Sequence, residues 1–264
     1  MKHKITHLTP LSCLLLSACT VGGGAPNLSV PKSESINPSE ISAEVLFVGN
    51  SFTYYNDLPD IFAQLGQGLG MQLNSYSVTK GSQKLIDTAN SNDELGKAFD
   101  EAMNKKYTHI ILQEHSTLPV NNYTSFVNGV KAIKQKIQNA KQEAHIYLYS
   151  TWAYESMCNQ NESIPDCEKR IRAAYEQCAS ETGLDVIYVG KAFSYTYEHN
   201  KSIDLYDAND RKHPSYAGSY LSAATHLASI FNVNVKESTF KGNLADNVSN
   251  TLKEVAYGVA NRLI

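Results

Sequence analysis

Short apolar runs rich in β-forming residues alternate with longer stretches of helical period from residue 45 onwards. The short runs are residues 45–48, 72–78, 107–112, 145–149 and 186–189. Strands that alternate with helices of ten or more residues indicate a parallel sheet covered on both faces. The pattern therefore predicts a single three-layer α/β/α domain with a five-stranded parallel sheet.

Three of the intervening or following stretches are expected to be helical, and the first and third carry apolar residues at intervals of three and four, the spacing of one helix face. The first covers residues 125–137, and the second runs from residue 166 to Gly183, a residue typical of helix ends. The third is C-terminal, and its apolar face comprises Val248, Leu252, Val255, Val259 and Leu263. We expect all three to be helices packed on the sheet.

The first nineteen residues have the layout of a secretory signal. Lys2 and Lys4 precede an apolar run that is shorter than the roughly 18–20 residues of a spanning helix. The segment ends in Leu16-Ser17-Ala18-Cys19, which resembles the bacterial lipobox. The resemblance implies that Cys19 becomes the lipidated, palmitate-bearing first residue of a lipoprotein. An ordinary cleaved signal with a chance cysteine is the alternative.

The chain then divides into a tether and a folded domain. We expect a signal peptide at residues 1–18, a flexible tether at 19–43 and the folded domain at 44–264. The tether is rich in Gly, Pro, Ser and Asn and lacks an apolar period. Thr20, rather than Asp, follows the cysteine, and resemblance to enterobacterial sorting signals then favours the outer membrane of the bacterial cell envelope.

Charge and cysteine content narrow the possible partners. The formal net charge is −3 and the basic residues are scattered, so no nucleic-acid partner is expected. Three cysteines follow the signal, in a compartment that permits disulfides. Cys158 and Cys167 bracket a polar loop and are the expected pair, whereas Cys178 is expected as a buried thiol on a helix. Three cysteines without nearby paired histidines make a poor zinc site.

Two polar stretches stand where a parallel α/β fold places its sites. Ser51 follows the first strand, at the carboxyl edge of the sheet, where it is a turn residue, a helix cap or a nucleophile. Asp210 precedes His213 by three residues, and Pro214 fits the first turn of the next helix. This spacing lets the carboxylate approach one imidazole nitrogen while the other faces outward. The alternative is a turn residue beside a helix cap.

Gly49-Asn50-Ser51-Phe52 and Asp210-x-x-His213-Pro214-Ser215 resemble the first and last blocks of the SGNH (GDSL-type) hydrolases. The resemblance covers about residues 43–264 and is greatest with SGNH-like lipoprotein domains of uncharacterised function, which also carry Asn at position 50. It implies a flavodoxin-like α/β/α fold with Ser51 as nucleophile, His213 as general base and Asp210 orienting it. A Gly-x-Ser-x-Gly elbow, typical of α/β-hydrolases, is absent from the sequence.

The same resemblance implies an oxyanion hole formed by Ser51, Gly81 and Gln113. The first two residues contribute backbone N–H groups, and Gln113 contributes its side-chain amide. The family's usual Gly-x-Asn-Asp motif after the third strand is replaced here by Leu112-Gln113-Glu114-His115-Ser116. Glu114 or His115 therefore remains an alternative occupant of that position.

Tyr54, Trp152 and Tyr154 follow strands at the same edge and are expected to contact substrate, with core packing as the alternative. The family implies a serine esterase that removes a short acyl group, often acetyl, from a small molecule or glycan, without metal or organic cofactor. A lipase, lysophospholipase or thioesterase of the same fold is the near alternative. The alternative from another functional class is a membrane-anchored lipoprotein that binds a ligand without catalysis.

Overall fold

Five strands pair side by side in one parallel sheet. They are β1 (Ser42–Gly49), β2 (Gln72–Thr79), β3 (His109–Leu112), β4 (His145–Tyr149) and β5 (Asp185–Ile187), in the spatial order β2-β1-β3-β4-β5. The computed structural model describes residues 37–264, so the expected signal peptide, Cys19 and most of the tether lie outside the described residues. The predicted five-stranded parallel sheet is confirmed.

Ten α-helices accompany the strands within residues 37–264. They are α1 (Ser51–Tyr54), α2 (Leu58–Gln67), α3 (Leu85–Thr88), α4 (Glu94–Ala102), α5 (Leu118–Asn121), α6 (Tyr123–Asn139), α7 (Ile164–Thr182), α8 (Val189–His199), α9 (Tyr216–Phe231) and α10 (Asp246–Ala260). Helices α2, α8, α9 and α10 share one core cluster with the sheet, and α4, α6 and α7 share another. The predicted three-layer architecture is therefore confirmed. None of the described helices is both long and apolar enough to cross a bilayer.

The central strand β1 is buried on both faces. Val45 and Phe47 belong to the core cluster that contains α2 and α9, whereas Leu46 and Val48 belong to the cluster that contains α6 and α7. All four side chains are at most 1% exposed. A strand covered by helices on both sides needs apolar residues at every position. This explains the unbroken apolar run before Ser51.

The ends of several elements differ from expectation. β1 begins at Ser42, ahead of the expected domain boundary at residue 44, because Ala43 is already buried in the core. The end of α7 is as predicted, with Gly183 in the left-handed conformation at φ +66°. Leu263 was expected on the last helix and is instead 69% exposed beyond it. The helix ends at Ala260, and Arg262 turns the chain with a φ of +57°.

Cys158 and Cys167 are adjacent free thiols in the structure rather than the predicted disulfide. Their sulfur atoms and the Glu162 carboxylate lie within 4.8 Å of one another. Two guanidinium nitrogens of Arg170 bind Glu162 at 3.0 and 2.9 Å, so this carboxylate is already paired. Cys178 is a buried thiol on α7, as predicted. The two neighbouring thiols are therefore positioned for a bond that the structure does not contain.

We expect oxidation with a small-molecule disulfide to join Cys158 to Cys167. Closing a short loop of this kind raises the free energy of unfolding by about 2–3 kcal/mol, chiefly by restricting the unfolded chain. Thiol alkylation followed by mass spectrometry counts the remaining thiols, and urea unfolding with and without reductant measures the stability. Cys178→Ser should keep the redox dependence, and Cys158→Ser should remove it. Alkylation of all three cysteines after oxidation would contradict the prediction.

Candidate active site

The turn between β1 and α1 places Ser51 at the carboxyl edge of the sheet. Asn50 caps the helix, because its Oδ1 accepts a hydrogen bond from the Phe52 N–H at 3.2 Å. The Asn50 Nδ2 donates to the Gln83 carbonyl oxygen at 3.0 Å, and the Asn50 carbonyl accepts from the Thr53 N–H at 2.8 Å. Ser51 is consequently the first residue of a short helix whose start is fixed from two sides.

The structure brings Ser51, His213 and Asp210 together, although Ser51 and His213 are 162 positions apart in the chain. The His213 Nε2 lies 2.8 Å from the Ser51 Oγ, and the His213 Nδ1 lies 2.5 Å from the Asp210 Oδ2. The other Asp210 oxygen accepts from the backbone N–H groups of Lys212 and His213 at 2.9 and 3.0 Å. One imidazole nitrogen thus faces the carboxylate and the other faces the hydroxyl.

Asp210 is an ionised hydrogen-bond acceptor. Partial burial acts to raise the pKa of its carboxyl, but the hydrogen bonds from the His213 ring and from two backbone N–H groups outweigh burial and hold the pKa at about 2. A carboxylate can only accept from Nδ1, so that nitrogen carries the proton in neutral imidazole. The Nε2 lone pair then faces the Ser51 hydroxyl, as general-base chemistry requires.

The segment before α9 is held in place by three contacts. Tyr206 and Pro214 form an isolated antiparallel bridge, and the Ser215 N–H donates to the Leu205 carbonyl oxygen at 2.9 Å. Pro214 therefore precedes α9 instead of lying in its first turn, because Ser215 is the residue that caps the helix. Trp152 also donates its Nε1–H to the Lys212 carbonyl oxygen at 3.0 Å, which anchors the segment next to His213.

Gln113 lies beneath the nucleophile and is 1% exposed. Its Oε1 accepts from the Asn50 N–H at 2.8 Å and from the Thr53 hydroxyl at 2.9 Å, and its Nε2 donates to the Glu114 carbonyl. Since a backbone N–H can only donate, the amide oxygen must face the turn. The prediction that the Gln113 amide donates to an oxyanion is wrong in this structure. Gln113 instead braces the residue before Ser51.

Glycine at position 49 makes room for Gln113. A methyl group built there would lie 2.5 Å from the Gln113 Oε1 and 2.7 Å from the Thr53 Oγ1, distances that no real side chain tolerates. Any larger residue would therefore push the glutamine out of its position below the turn.

Two backbone N–H groups remain as candidate oxyanion donors. Neither the Ser51 N–H nor the Gly81 N–H bonds to another described residue. The Lys80 N–H donates to the Gly49 carbonyl at 3.3 Å, which extends the pairing of β1 with β2 and keeps the next residue, Gly81, close to the nucleophile turn. Both donors therefore stand at one edge, at the ends of neighbouring strands.

Glu114 and His115, the alternatives for the third position, have different environments. Glu114 is fully buried, and its Oε1 accepts from the N–H groups of Leu85 and His115 at 3.1 and 2.6 Å. Burial raises the pKa of Glu114 to about 7 despite these two hydrogen bonds. The His115 ring is partly exposed, with its Nδ1 3.3 Å from the Thr117 Oγ1. Glu114 therefore ties the segment after β2 to the one after β3.

Only one of the three aromatic residues expected to contact substrate is open to solvent. Tyr54 is 41% exposed, whereas Trp152 is 0% and Tyr154 is 4% exposed. Trp152 is stacked between Phe52 and Phe193 at centroid distances of 4.4 and 4.3 Å. The predictions for Trp152 and Tyr154 are therefore wrong, because both rings are packed into the core below the site.

Sequence reasoning missed the contacts that Tyr55 and Asn56 make with the histidine segment. The Tyr55 ring is parallel to the His213 imidazole, with centroids 4.2 Å apart. The Asn56 Nδ2 donates to the Pro214 carbonyl oxygen at 3.0 Å and to the Ser219 Oγ at 2.9 Å. The sequence signal for this kink in the chain was the pair Asn56-Asp57, because Asn and Asp tolerate the left-handed conformation that both residues adopt.

No protein-family model matches the sequence, and neither does any curated protein. Among solved structures, a proposed SGNH hydrolase from Slackia heliotrinireducens is 26% identical, with a TM-score of 0.56 over 69% of this chain and 95% of that one. A DUF4886 family protein from Bacteroides uniformis has a TM-score of 0.70 at 18% identity, covering 82% of this chain and 94% of that one. A lipase/acylhydrolase from Enterococcus faecalis has a TM-score of 0.51 at 14% identity, covering 76% of this chain and 99% of that one.

A parallel sheet with a serine, a histidine and an aspartate at its carboxyl edge is the arrangement found in serine hydrolases of the α/β/α class. The solved structures share this fold, and the chain is similar to hydrolases of the SGNH, or GDSL, type. The predicted resemblance is confirmed.

We expect Glu114→Gln to remove a pH dependence of stability. As pH rises through 4.5 the unfolded chain releases this proton, but the folded chain keeps it until about pH 7. Wild-type stability therefore falls across this window, by at most about 3 kcal/mol. Urea unfolding at pH 4, 5.5 and 7.5 measures the slope, and Glu101→Gln, on the exposed face of α4, is the control. Equal slopes in Glu114→Gln and wild type would refute the assignment.

Proposed function

We propose that the chain hydrolyses carboxylic esters, with Ser51 as nucleophile, His213 as general base and Asp210 orienting the imidazole. The observation that carries this proposal is the continuous hydrogen-bonded series from the Ser51 Oγ through both His213 nitrogens to Asp210, at 2.8 and 2.5 Å. A serine hydroxyl is a weak nucleophile, and an adjacent oriented base is the usual means of activating it.

Each step of the reaction has a group in place. The His213 Nε2 takes the hydroxyl proton as the Ser51 Oγ attacks the ester carbonyl, and it later returns that proton to the departing alcohol. The Ser51 and Gly81 N–H groups donate to the oxyanion of the tetrahedral intermediate. Loss of one such donor costs about 10²–10³ in rate. Water activated by His213 then releases the acid from the acyl-enzyme.

A short acyl group, such as acetyl, on a glycan or small molecule fits the surroundings best. Among residues 37–264 the exposed large hydrophobic side chains are Tyr54, Tyr197 and Leu263, which form no extended apolar groove for a long chain. Tyr54 lies beside Gly81, where a methyl group would stand 3.3 Å from the Tyr54 hydroxyl oxygen. An exposed aromatic ring at this place suits stacking on a sugar. A lipase or thioesterase would need more apolar surface for its acyl chain.

We expect Ser51→Ala to abolish hydrolysis of p-nitrophenyl acetate by the purified protein, a loss of at least about 10⁴-fold in kcat, because no other group replaces the nucleophile. Release of p-nitrophenol measures the rate. Ser91→Ala, an exposed serine elsewhere on the surface, is the matched control and should retain wild-type turnover.

A series of p-nitrophenyl esters from acetyl to long-chain acyl separates the alternatives. A maximum at two carbons supports deacylation of short esters, and a maximum at long chains supports the lipase alternative. If wild type and Ser51→Ala are equally inert on every ester, the chain is a binding protein and the proposed function fails.

We also propose that Cys19 carries a lipid that anchors the protein to the bacterial cell envelope, at the outer membrane. The lipobox-like Leu16-Ser17-Ala18-Cys19 and the Gly-, Pro- and Ser-rich segment after it support this proposal. We expect the full-length protein, expressed in a bacterial host, to incorporate labelled palmitate and sediment with outer membranes. Cys19→Ser should lose both properties, whereas Cys13→Ser, inside the expected signal, should keep both. An unlabelled wild-type protein would exclude the anchor.

A further inference from the structure

Aromatic rings enclose the His213 imidazole on two sides. The Tyr55 ring lies parallel to it, with centroids 4.2 Å apart and an interplanar angle of 7°. Phe52 meets it edge-on, at 5.7 Å and 75°. Among the described contacts, the Tyr55 hydroxyl makes no hydrogen bond, so Tyr55 acts on His213 through the face of its ring.

The backbone around Tyr55 is fastened to the segment that carries His213. Asn56 and Asp57 both have positive φ, +54° and +55°, and this kink turns the chain back towards α9. The Ser219 hydroxyl donates to the Tyr55 carbonyl oxygen at 3.1 Å and accepts from the Asn56 Nδ2 at 2.9 Å. Asn56 also binds the Pro214 carbonyl, one residue after His213. The backbone of Tyr55 is therefore tied to the segment that carries His213.

This arrangement matters most in one step of the proposed reaction, on which the inference rests. In the free enzyme the imidazole is oriented by hydrogen bonds to Asp210 and to the Ser51 hydroxyl. Once the Ser51 Oγ is esterified, it no longer has a proton to donate, and the second bond is lost. The ring stack does not involve the serine and persists. The imidazole must still face the acyl group to activate water.

We propose that Tyr55 is a positioning residue that keeps the His213 imidazole aligned in the acyl-enzyme. In this step the water oxygen bonds to the acyl carbon as the water proton passes to Nε2. The carbon–Oγ bond then breaks, and Ser51 regains its hydroxyl with that proton. Tyr55 touches neither water nor acyl group in this scheme. It restricts rotation of the ring that does.

Kinetics of Tyr55→Leu and Tyr55→Phe test the proposal. Loss of the ring should slow deacylation about tenfold, so kcat and KM fall together while kcat/KM, which reports acylation, stays within about twofold. A burst of p-nitrophenol equal to the enzyme concentration should precede the slower steady state. Tyr55→Phe should match wild type, because the ring is retained.

A matched control is available on α8. Tyr195 stacks on His199 at 4.1 Å and 16°, so Tyr195→Leu removes a similar ring pair away from the site and should leave both constants unchanged. Equal losses in kcat and kcat/KM for Tyr55→Leu, or a Tyr55→Phe defect as large as that of Tyr55→Leu, would overturn the proposal.

A structural measurement separates this inference from the proposed function. Ser51→Ala removes the same hydrogen bond as acylation does, without requiring any activity. In its crystal structure the imidazole should stay stacked on Tyr55 and bonded to Asp210. In Ser51→Ala/Tyr55→Leu the ring should rotate or lose order. An unmoved imidazole in the double variant refutes the positioning role even if the esterase hypothesis stands. Inert wild-type enzyme refutes the esterase hypothesis and the role in the acyl-enzyme with it, whereas the effect of Tyr55 on the orientation of the ring is still decided by the double variant.

Discussion

The hydrogen bond from the Asn50 N–H to the Gln113 amide oxygen, 2.8 Å long, joins residues 63 positions apart and fixes the start of the nucleophile helix. It forms only because β1 and β3 are neighbours in the sheet and because Gly49 leaves space for the glutamine. The direction of the first helical turn, and with it the Ser51 side chain, follows from this contact. The distance from Ser51 to His213 depends in turn on that direction.

Two carboxyl groups at this edge show how burial and hydrogen bonding compete. Glu114 is fully buried with two backbone donors, and burial prevails, so its pKa rises to about 7. The Asp210 carboxylate is partly exposed to solvent and accepts three hydrogen bonds. These hydrogen bonds outweigh its smaller burial and lower its pKa to about 2. The two acids thus lose their protons in widely separated pH ranges. The ionised one orients the base, and the buried one connects two segments below the site.

Much of the fold could be predicted from the sequence, because strands buried on both faces are nearly continuous apolar runs and helices repeat at 3.6 residues. The partnership of Ser51 with Asp210 and His213 was also predicted, but from the resemblance of both stretches to the SGNH blocks, because Asp210 and His213 follow α8 rather than a strand. How deeply each aromatic side chain is buried at the site could not be predicted. Trp152 and Tyr154 follow a strand end just as Tyr54 does, but the stacking of Trp152 on Phe52 and Phe193 is visible only in three dimensions. Gln113 was misjudged for the same reason, since only the backbone donor at Asn50 fixes the direction of its amide.

Trp152 is the single tryptophan of the chain, and it lies where the nucleophile turn, α8 and the histidine segment meet. Its indole is sandwiched against Phe52, the residue after Ser51, and its N–H is bonded to the residue before His213. Tryptophan fluorescence, excited selectively over the 16 tyrosines of the chain, is consequently a signal from one place. Its emission reports on the packing directly under the candidate active site.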